Sequence, residues 1–265
     1  MTEINRGNLN KSHVDIVCYV DSKADKSVAE SLAKKFEVKA MQKMSDVEED
    51  TLVLCLDADG LALVGNGQAL RGDFTKMLSR LSPGNLPREL LVKVSKIKGV
   101  DGPLTAIDAT AGLGEDALLL AAAGFNVQLY EYDPVIAAIL EDSIRRASMI
   151  PELADIVGRM QLMEADSLTA LPKLATPPDV VLLDPMFPSR QKSALIKKKF
   201  QLLQQLESPC SDEKELLKSA IASHPRKVVI KRPLKGPFLA GRKPDYSLKG
   251  KAIRYDCIVF AREKN

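Results

Sequence analysis

The fold is decided by one stretch, Leu104-Thr-Ala-Ile-Asp-Ala-Thr-Ala-Gly-Leu-Gly-Glu-Asp116. Its first five residues are a short, mostly apolar run that ends on a carboxylate, as in a buried strand of a parallel sheet. Gly112 and Gly114 let the backbone turn tightly into a helix that we predict to begin at Glu115. The stretch therefore predicts a strand–turn–helix unit whose ligand lies beyond the strand, at the N-terminus of the helix.

Strand and helix patterns alternate from this stretch to the C-terminus. Strands are predicted at 104–108, 127–132, 161–164, 180–184, 227–231, 246–249 and 253–261, and helices at 115–123, 135–148 and 213–223. Such alternation forms a parallel sheet with ligands at the carboxyl ends of its strands. The predicted fold class is α/β, with a mostly parallel seven-stranded sheet and an antiparallel hairpin at one edge.

The residues before this sheet predict a smaller α/β lobe. Strands are expected at 15–20, 52–56 and 61–64, with a helix at 24–36 and a turn at Asp57-Ala-Asp-Gly60. Residues 68–102 have the composition of a connector with short helices. We predict that lobe and connector occupy residues 1–85 and that the larger domain occupies residues 86–265.

Length and composition fit a folded protein of this kind. Of the 265 residues, 45% are hydrophobic, which is enough to bury a substantial core. No apolar run approaches the roughly 20 residues that span a bilayer, and the N-terminus lacks the apolar segment of a secretory signal. Four scattered cysteines and two histidines form no metal-ligand pattern. We expect a cytoplasmic protein with no membrane partner and no metal.

Basic residues are concentrated late in the chain, although the net charge is only +3. From Arg226 to Arg254, ten basic residues are opposed by one acidic residue, Asp245. This asymmetry favours a polyanionic partner. An ordinary solvated face would give the same composition, so both interpretations stay open.

The charge of the glycine loop indicates its ligand. Its G-x-G-x-x-A spacing also fits a dinucleotide fold, but a pyrophosphate requires a neutral or basic loop. Asp108, Glu115 and Asp116 make this loop acidic, and charges about 4 Å apart interact by about 4 kcal/mol at an effective dielectric of 20. S-adenosylmethionine carries a sulfonium and an ammonium group, which carboxylates attract. Helix capping by Glu115 and Asp116 is the structural alternative.

Other strand ends supply further candidate donor ligands. Glu131 lies about 20 residues beyond the glycines, where an acidic side chain can bind ribose hydroxyls, and Tyr132 follows it. Asp166 and Ser167 follow the third strand and can bond the adenine edge. An N-cap and turn would explain the same pair.

A second candidate site, Asp184-Pro-Met-Phe-Pro188, directly follows an apolar run. Exocyclic amines of bases are poor nucleophiles because the nitrogen lone pair is delocalised, so an enzyme must align the amine and accept its N–H bonds. Asp184 and the carbonyl of Pro185 can accept these bonds, and Phe187 can stack on the base. A strand-end turn with a buried Phe is the alternative.

These motifs resemble those of class I S-adenosylmethionine-dependent methyltransferases, whose amino-methylating motif is D/N-P-P-Y/F, with Met186 in place of the second proline. More specifically, four segments in the correct order resemble the ribosomal RNA small subunit methyltransferase J family. They are Asp108-Ala-Thr-Ala-Gly-Leu-Gly114, Asp184-Pro-Met-Phe-Pro188, Gln191-Lys-Ser-Ala194 and Val229-Ile-Lys-Arg-Pro233.

The resemblance implies a Rossmann-like fold and methyl transfer from S-adenosylmethionine to the N2 amine of a guanosine in 16S ribosomal RNA, free or in the small subunit. It implies donor contacts from Asp184 and from the pairs Glu115-Asp116, Glu131-Tyr132 and Asp166-Ser167. Basic residues beyond Asp184 could neutralise phosphates beside a flipped guanine. The candidates are Arg190, Lys192, Lys197, Lys198, Lys231 and Arg232.

Three alternatives stay open on the sequence alone. A nicotinamide-dependent oxidoreductase shares the glycine spacing. A methyltransferase for another RNA, a DNA base or a protein amide would use the same acceptor chemistry. A non-catalytic RNA-binding module would share the basic surface but not the acidic loop.

Overall fold

The computed structural model describes residues 14–19, 25–42, 51–65, 67–100, 102–185 and 213–261. These residues form two compact units. The smaller contains the described residues up to Gly72 together with Asp133–Ser143, and the larger contains those of Asp73–Tyr132, Ile144–Pro188 and Pro209–Asn265. The division after residue 85 stays a prediction, because compactness does not test which part folds alone. No helix in the described ranges is long and apolar enough to cross a membrane.

The smaller unit is built on five strands and one helix. They are β1 (Ile16–Tyr19), α1 (Asp25–Phe36), β2 (Lys39–Met41), β3 (Val53–Asp57), β4 (Gly60–Gly65) and β5 (Gln68–Leu70). The sheet order is β2-β1-β3-β4-β5, with β1 parallel to β2 and β3 and the other pairs antiparallel. β2 and β5 were not predicted, because three residues give no readable alternation.

The predicted turn of this unit is present between β3 and β4. The amide of Asp59 donates to Oδ1 of Asp57 at 2.9 Å, as in turns in which an aspartate binds its own backbone. Gly60 has a φ of 105°, which glycine adopts without steric cost. The turn chemistry therefore fixes the pairing of the two strands.

The larger unit contains seven strands and several helices. The strands are β6 (Thr105–Asp108), β7 (Asn126–Glu131), β8 (Met160–Glu164), β9 (Val180–Leu183), β10 (Lys227–Pro233), β11 (Tyr246–Lys249) and β12 (Ile253–Val259). The helices are α2 (Leu78–Leu81), α3 (Leu90–Ser95), α4 (Glu115–Ala122), α5 (Pro134–Ala147), α6 (Pro151–Val157), α7 (Ser167–Ala170) and α8 (Glu213–Ala222). Residues of α5 belong to both units.

The strand order of this sheet is β11-β12-β10-β9-β6-β7-β8. Strands β6 to β10 are parallel, whereas β12 is antiparallel to both β10 and β11. The predicted fold class is confirmed. The order reverses at β6, so the switch point, where such sheets bind ligands, lies at the carboxyl ends of β6 and β9. We call the edge along which the parallel strands end the carboxyl edge.

Apolar packing fixes the strand and helix that flank the switch point. All four residues of β9 are buried, as expected for a central parallel strand. Leu118, Leu119 and Leu120 of α4 have no exposed surface, and a helix that is apolar on all sides is one enclosed by the core. Each such leucine contributes about 1.5–3 kcal/mol on burial. The first turn of α4 is therefore held firmly at the carboxyl edge.

Candidate active site

The glycine loop between β6 and α4 is held by backbone hydrogen bonds to both neighbouring strands. The amide of Ala109 donates to the carbonyl of Leu182 at 3.0 Å, and the amide of Ala111 donates to that of Tyr130 at 3.1 Å. Gly112 has a φ of 52° and Gly114 a φ of 77°, in the left-handed region that favours glycine. The loop is therefore a fixed part of the carboxyl edge.

Glu131 ends β7 and turns its carboxylate toward this loop. Its Oε2 atom accepts a hydrogen bond from the amide of Gly112 at 2.9 Å, and the residue is only 4% exposed. Buried carboxylates are costly unless they are hydrogen-bonded. The contact thus joins two predicted donor ligands that are 19 positions apart.

Asp184 lies just beyond β9, and Thr110 attaches it to the glycine loop. The backbone amide of Asp184 donates to Oγ1 of Thr110 at 2.7 Å, and the amide of Thr110 donates to Oδ1 of Asp108 at 3.1 Å. The predicted acceptor corner and the predicted donor loop therefore meet at one point. Thr110 was not among the predicted site residues, because nothing in the sequence shows that its hydroxyl faces β9.

Lys231, on β10, joins two carboxylates of the site. Its Nζ atom lies 2.6 Å from Oδ2 of Asp116 and 2.9 Å from Oδ2 of Asp184. Burial lowers the pKa of Lys231, but the carboxylates of Asp116 and Asp184 outweigh it and hold this pKa above its usual value. The lysine is therefore a permanent cation between the first turn of α4 and the end of β9.

Asp108 is the most enclosed carboxylate of this cluster, with 2% of its surface exposed. Burial, followed by repulsion from Asp116, raises its pKa to about 7, while the amide of Thr110 opposes the rise. Desolvation and like charges both disfavour an ionised carboxylate. Asp108 therefore titrates near neutral pH, whereas Lys231 stays charged.

Two further residues border the cluster and were missed from the sequence. Tyr255 stands opposite Lys231 in the β10–β12 register and is 4% exposed, and its pKa is raised by burial and then by the charge of Asp116. Arg80 donates from Nε and Nη2 to both carboxylate oxygens of Glu89, each at 2.8 Å. That pair, followed by the charges of Asp116 and Glu115, raises the pKa of Arg80.

The remaining predicted donor ligands differ in their surroundings. Asp166 is the N-cap of α7, and its Oδ1 atom accepts a hydrogen bond from the amide of Leu168 at 2.8 Å. The helix-capping role considered for this residue is therefore present. Ser167 is 7% exposed and Tyr132 is 43% exposed. Glu115 is exposed in the first turn of α4, whose N-cap is Gly114. A capping role for Asp166 leaves its contact with adenine a prediction.

The predicted RNA contacts of Lys231 and Arg232 need correction. Lys231 is already paired with two carboxylates and only 25% of its side chain is exposed. Arg232 is 1% exposed, donating from Nε to the carbonyl of Pro237 at 2.9 Å and from Nη1 to Glu213 at 3.1 Å. A guanidinium enclosed in this way cannot reach a phosphate, so Arg232 has a structural role.

Other predicted residues divide between the described and undescribed parts of the chain. Pro185 is described and buried. Phe187, Arg190, Lys192, Lys197 and Lys198 lie outside the described residues, as do Met186 and Gln191-Lys-Ser-Ala194. Across the described ranges no group of three or more His, Cys, Asp or Glu side chains could hold a metal ion.

The chain is similar in sequence to known methyltransferases. A family model described as "Putative SAM-dependent methyltransferase" matches residues 31–260. A protein of Nitrosococcus oceani named ribosomal RNA small subunit methyltransferase J is 39% identical over 245 residues, covering 90% of this chain and 96% of that protein. Its namesake from Thioalkalivibrio sulfidiphilus is 41% identical over 217 residues, covering 78% and 84%.

A solved structure extends the likeness to the whole fold. The crystal structure of a SAM-dependent methyltransferase from Neisseria gonorrhoeae superposes with a TM-score of 0.71 at 30% sequence identity. The match covers 92% of this chain and 95% of that one. The sheet described above is therefore the Rossmann-like sheet of that methyltransferase structure.

Proposed function

The chain belongs to the ribosomal RNA small subunit methyltransferase J family, and from this membership we infer that it methylates 16S ribosomal RNA. The methyl donor is S-adenosylmethionine and the acceptor is the exocyclic N2 amine of a guanosine. The enzyme acts in the cytoplasm, on free RNA or on the small subunit. The resemblance seen in the four sequence motifs and the membership of the chain point to the same chemistry.

One observation carries the proposal most directly: the hydrogen bond between the amide of Asp184 and Oγ1 of Thr110, at 2.7 Å. It attaches the acceptor corner to the glycine loop at the switch point of the sheet. Methyl transfer requires the donor and the amine to be aligned within a short distance of one another. The Thr110 hydroxyl therefore joins the two halves of the proposed site.

The residues around the glycine loop fit S-adenosylmethionine. When bound, it supplies a methyl group made electrophilic by the positive sulfonium. Asp108, Asp116 and Asp184 give the loop a negative field that favours this charge. The Glu131 carboxylate binds ribose hydroxyls, with Tyr132 beside it, and Asp166-Ser167 binds the adenine edge. Gly112 and Glu115 contribute through the loop backbone.

At the acceptor corner, hydrogen-bond acceptors orient the amine. The Asp184 carboxylate and the carbonyl of Pro185 accept the two N–H bonds and stabilise the charge that develops on nitrogen. Phe187 stacks on the guanine, as aromatic rings do with unstacked bases. Asp184 acts as an orienting acceptor and not as a strong base, because the methylated amine loses its proton readily.

Lys231 is a positioning residue in this scheme. Its contacts of 2.6 Å with Asp116 and 2.9 Å with Asp184 hold both carboxylates in place. An ionised Asp184 offers only lone pairs to the guanine amine, as an acceptor must. Phosphates beside the flipped guanine are neutralised by Arg190, Lys192, Lys197 and Lys198.

Incorporation of labelled methyl groups tests the proposal. The purified protein and tritiated S-adenosylmethionine are incubated with one candidate substrate at a time. The substrates are unmodified 16S RNA, small subunits, DNA and a mixed protein fraction. We expect label in the RNA or subunit samples, released on digestion as N2-methylguanosine. Label confined to DNA or protein would contradict the proposed substrate, and none anywhere would contradict the proposed activity.

A further inference from the structure

Two loops of the larger unit meet just beyond the carboxyl edge. Leu234, which follows β10, donates its amide to the carbonyl of Ala252 at 3.0 Å, and Gly250 donates to Ile253 at 2.8 Å across the turn between β11 and β12. These contacts bring together three exposed lysines, one from the first loop, one from the end of β11 and one from the turn. We call them the lysine edge: Lys235, Lys249 and Lys251.

Two buried arginines hold the loop that carries Lys235. Arg254 donates from Nη1 to the carbonyls of Pro233, Leu234 and Gly236, each at 2.9 Å. Arg232 donates to the carbonyl of Pro237, and its charge is paired with Glu213. Oδ1 of Asp256 lies 2.8 Å from Nε of Arg254 and balances the charge of this arginine. The loop is therefore ordered before any ligand arrives, which lowers the entropic cost of binding.

The electrostatic surroundings of the lysine edge are positive. Residues 233–253 include five basic residues and one acidic residue, Asp245. Asp245 lies at the far end of the hairpin, where its Oδ2 atom accepts from the amide of Val259 at 2.7 Å. Leu90 packs against Gly250, and the acidic residue before it, Glu89, is bound through both oxygens by Arg80. Nearby carboxylates thus have cationic or backbone partners.

The position of the lysine edge relative to Asp184 follows from the sheet. Leu183 pairs with Ile230, and Lys249 pairs with Arg254, which in turn pairs with Arg232. Asp184 and Lys249 therefore lie at similar heights on the same edge, three strands apart. At about 4.8 Å per strand this is about 14 Å, a distance that a few nucleotides span.

An exposed aromatic ring accompanies these cations. Phe238 is 39% exposed, and its ring centre lies 5.2 Å from Cζ of Arg254. A ring fixed on one side by a guanidinium can offer the other side to a base, and sites for single-stranded nucleic acid combine such rings with basic grooves. This combination favours RNA over an acidic protein.

We propose that the lysine edge binds the sugar–phosphate backbone of the substrate RNA a few nucleotides from the methylated guanosine. The inference rests on the proposed function, because it places the guanosine at Asp184. Within the basic segment 226–254, Arg232 and Arg254 are buried and shape the loop, whereas Lys235, Lys249 and Lys251 are exposed.

A matched pair of triple variants tests the proposal. The first is Lys235→Gln/Lys249→Gln/Lys251→Gln. The control, Lys96→Gln/Lys98→Gln/Lys173→Gln, removes the same charge from three exposed lysines elsewhere; Lys96 lies at the opposite edge, where its carbonyl accepts from Lys227 at the start of β10. Binding of unmodified 16S RNA and of small subunits is measured by filter binding between about 50 and 200 mM salt.

We expect the first variant to bind RNA about tenfold more weakly. The slope of log K against log salt concentration should also be less steep by about 2, because each lost single-strand phosphate contact removes about 0.7 from that slope. The KM for RNA should rise, while kcat and the affinity for S-adenosylmethionine stay unchanged. Equal behaviour of the two variants would overturn the proposal. So would weaker binding to subunits with unchanged binding to RNA, which would point to a ribosomal protein.

The RNA-binding measurement does not depend on catalysis. If the wild-type protein bound RNA through these lysines but methylated none, the proposed function would fail and the lysine edge would stand as an RNA surface. If it methylated RNA and the two triple variants matched, only the lysine edge would fail.

Discussion

At the scale of single residues, the site depends on charges whose partners come from distant parts of the chain. Lys231 meets Asp116 and Asp184 although 115 positions separate it from Asp116. From the sequence, Lys231-Arg232 is simply a basic pair in a basic segment, and we expected both to bind phosphate. Successive side chains of a strand point to opposite faces of the sheet. Lys231 therefore enters the carboxylate cluster, whereas Arg232 enters the core.

The carboxylate of Glu131 provides the first prediction. Glu131→Gln should weaken binding of S-adenosylmethionine about 10- to 100-fold, because hydrogen bonds to a charged acceptor contribute about 1.5–3 kcal/mol. Glu164→Gln is the matched control, since Glu164 ends the neighbouring strand directly beside Glu131 and is exposed. Calorimetry measures both affinities, and an equal loss in the two variants would argue against ribose binding by Glu131.

Removal of the central cation gives a prediction on pH. Lys231 lowers the pKa of Asp108. Without Lys231 the pKa of Asp108 rises, so activity that needs this carboxylate ionised is lost at a higher pH on acidification. For Lys231→Met we expect the acid limb of kcat/KM to move up by about one pH unit or more, and Lys231→Arg should move it back.

Lys227, on the same strand β10, provides a control for the pH dependence of kcat/KM. Lys227 donates to the carbonyls of Val94 and Lys96, each at 2.8 Å, and touches none of the three carboxylates. Lys227→Met should lower stability and leave the acid limb in place. A shift as large as that of Lys231→Met would mean that lost stability, and not the lost cation, moves the profile.

At the scale of elements, sequence reasoning succeeded where one local pattern carries the information. The β6–loop–α4 unit was predicted to within one residue at each end, because its apolar runs, glycines and acidic first turn all agree. Helix α6 was missed, since it is short and begins at Pro151, which reads as a break in the preceding helix. No local pattern shows that β10 lies beside β9, the pairing that assembles the site.

Gly112 lies in the glycine loop and Gly124 follows α4, so substitutions at the two positions separate an effect on stability from an effect on ligand binding. Gly112 and Gly124 both have positive φ values, and a Cβ on either meets nothing within 4 Å. Gly112→Ala and Gly124→Ala should each lower the free energy of unfolding by about 1–2 kcal/mol through backbone strain alone. Only Gly112→Ala should also weaken S-adenosylmethionine binding, because relief of the strain at its positive φ would move the backbone amide that donates to Glu131.

Denaturant titration and calorimetry measure these two effects independently. An equal loss of donor affinity in Gly124→Ala would contradict the placement of the donor at the loop. So would unchanged donor affinity in Gly112→Ala together with the expected loss of stability.

At the scale of the whole molecule, a bound ligand stabilises the fold that binds it. S-adenosylhomocysteine at 100 times its Kd should stabilise the protein by about 2.7 kcal/mol, enough to raise the Tm by several degrees. NADH at the same concentration should leave the Tm unchanged, because the acidic loop repels a pyrophosphate. A larger shift with NADH would restore the nicotinamide alternative.

The whole-chain fold could be predicted because strands and helices alternate over most of its length, and a doubly wound sheet is the consistent arrangement of such units. Phe187 and the four basic residues after it remain sequence-based predictions, since they lie outside the described residues. Charge concentrated in residues 226–254 gave the correct sign of the surface. It could not distinguish the enclosed Arg232 and Arg254 from the exposed lysines, because burial depends on which strands pair.

In the proposed mechanism, Asp184 directs methyl transfer to guanine N2 in 16S RNA. Mass spectrometry of 16S RNA tests this role in cells that lack the protein and receive either the wild-type chain or Asp184→Ala, with donor affinity measured on both purified proteins. We predict one N2-methylguanosine restored by the wild type, at least about 100-fold less with Asp184→Ala, and donor binding largely retained. Full methylation by Asp184→Ala, or an unchanged N2-methylguanosine content without the protein, would contradict the proposed mechanism.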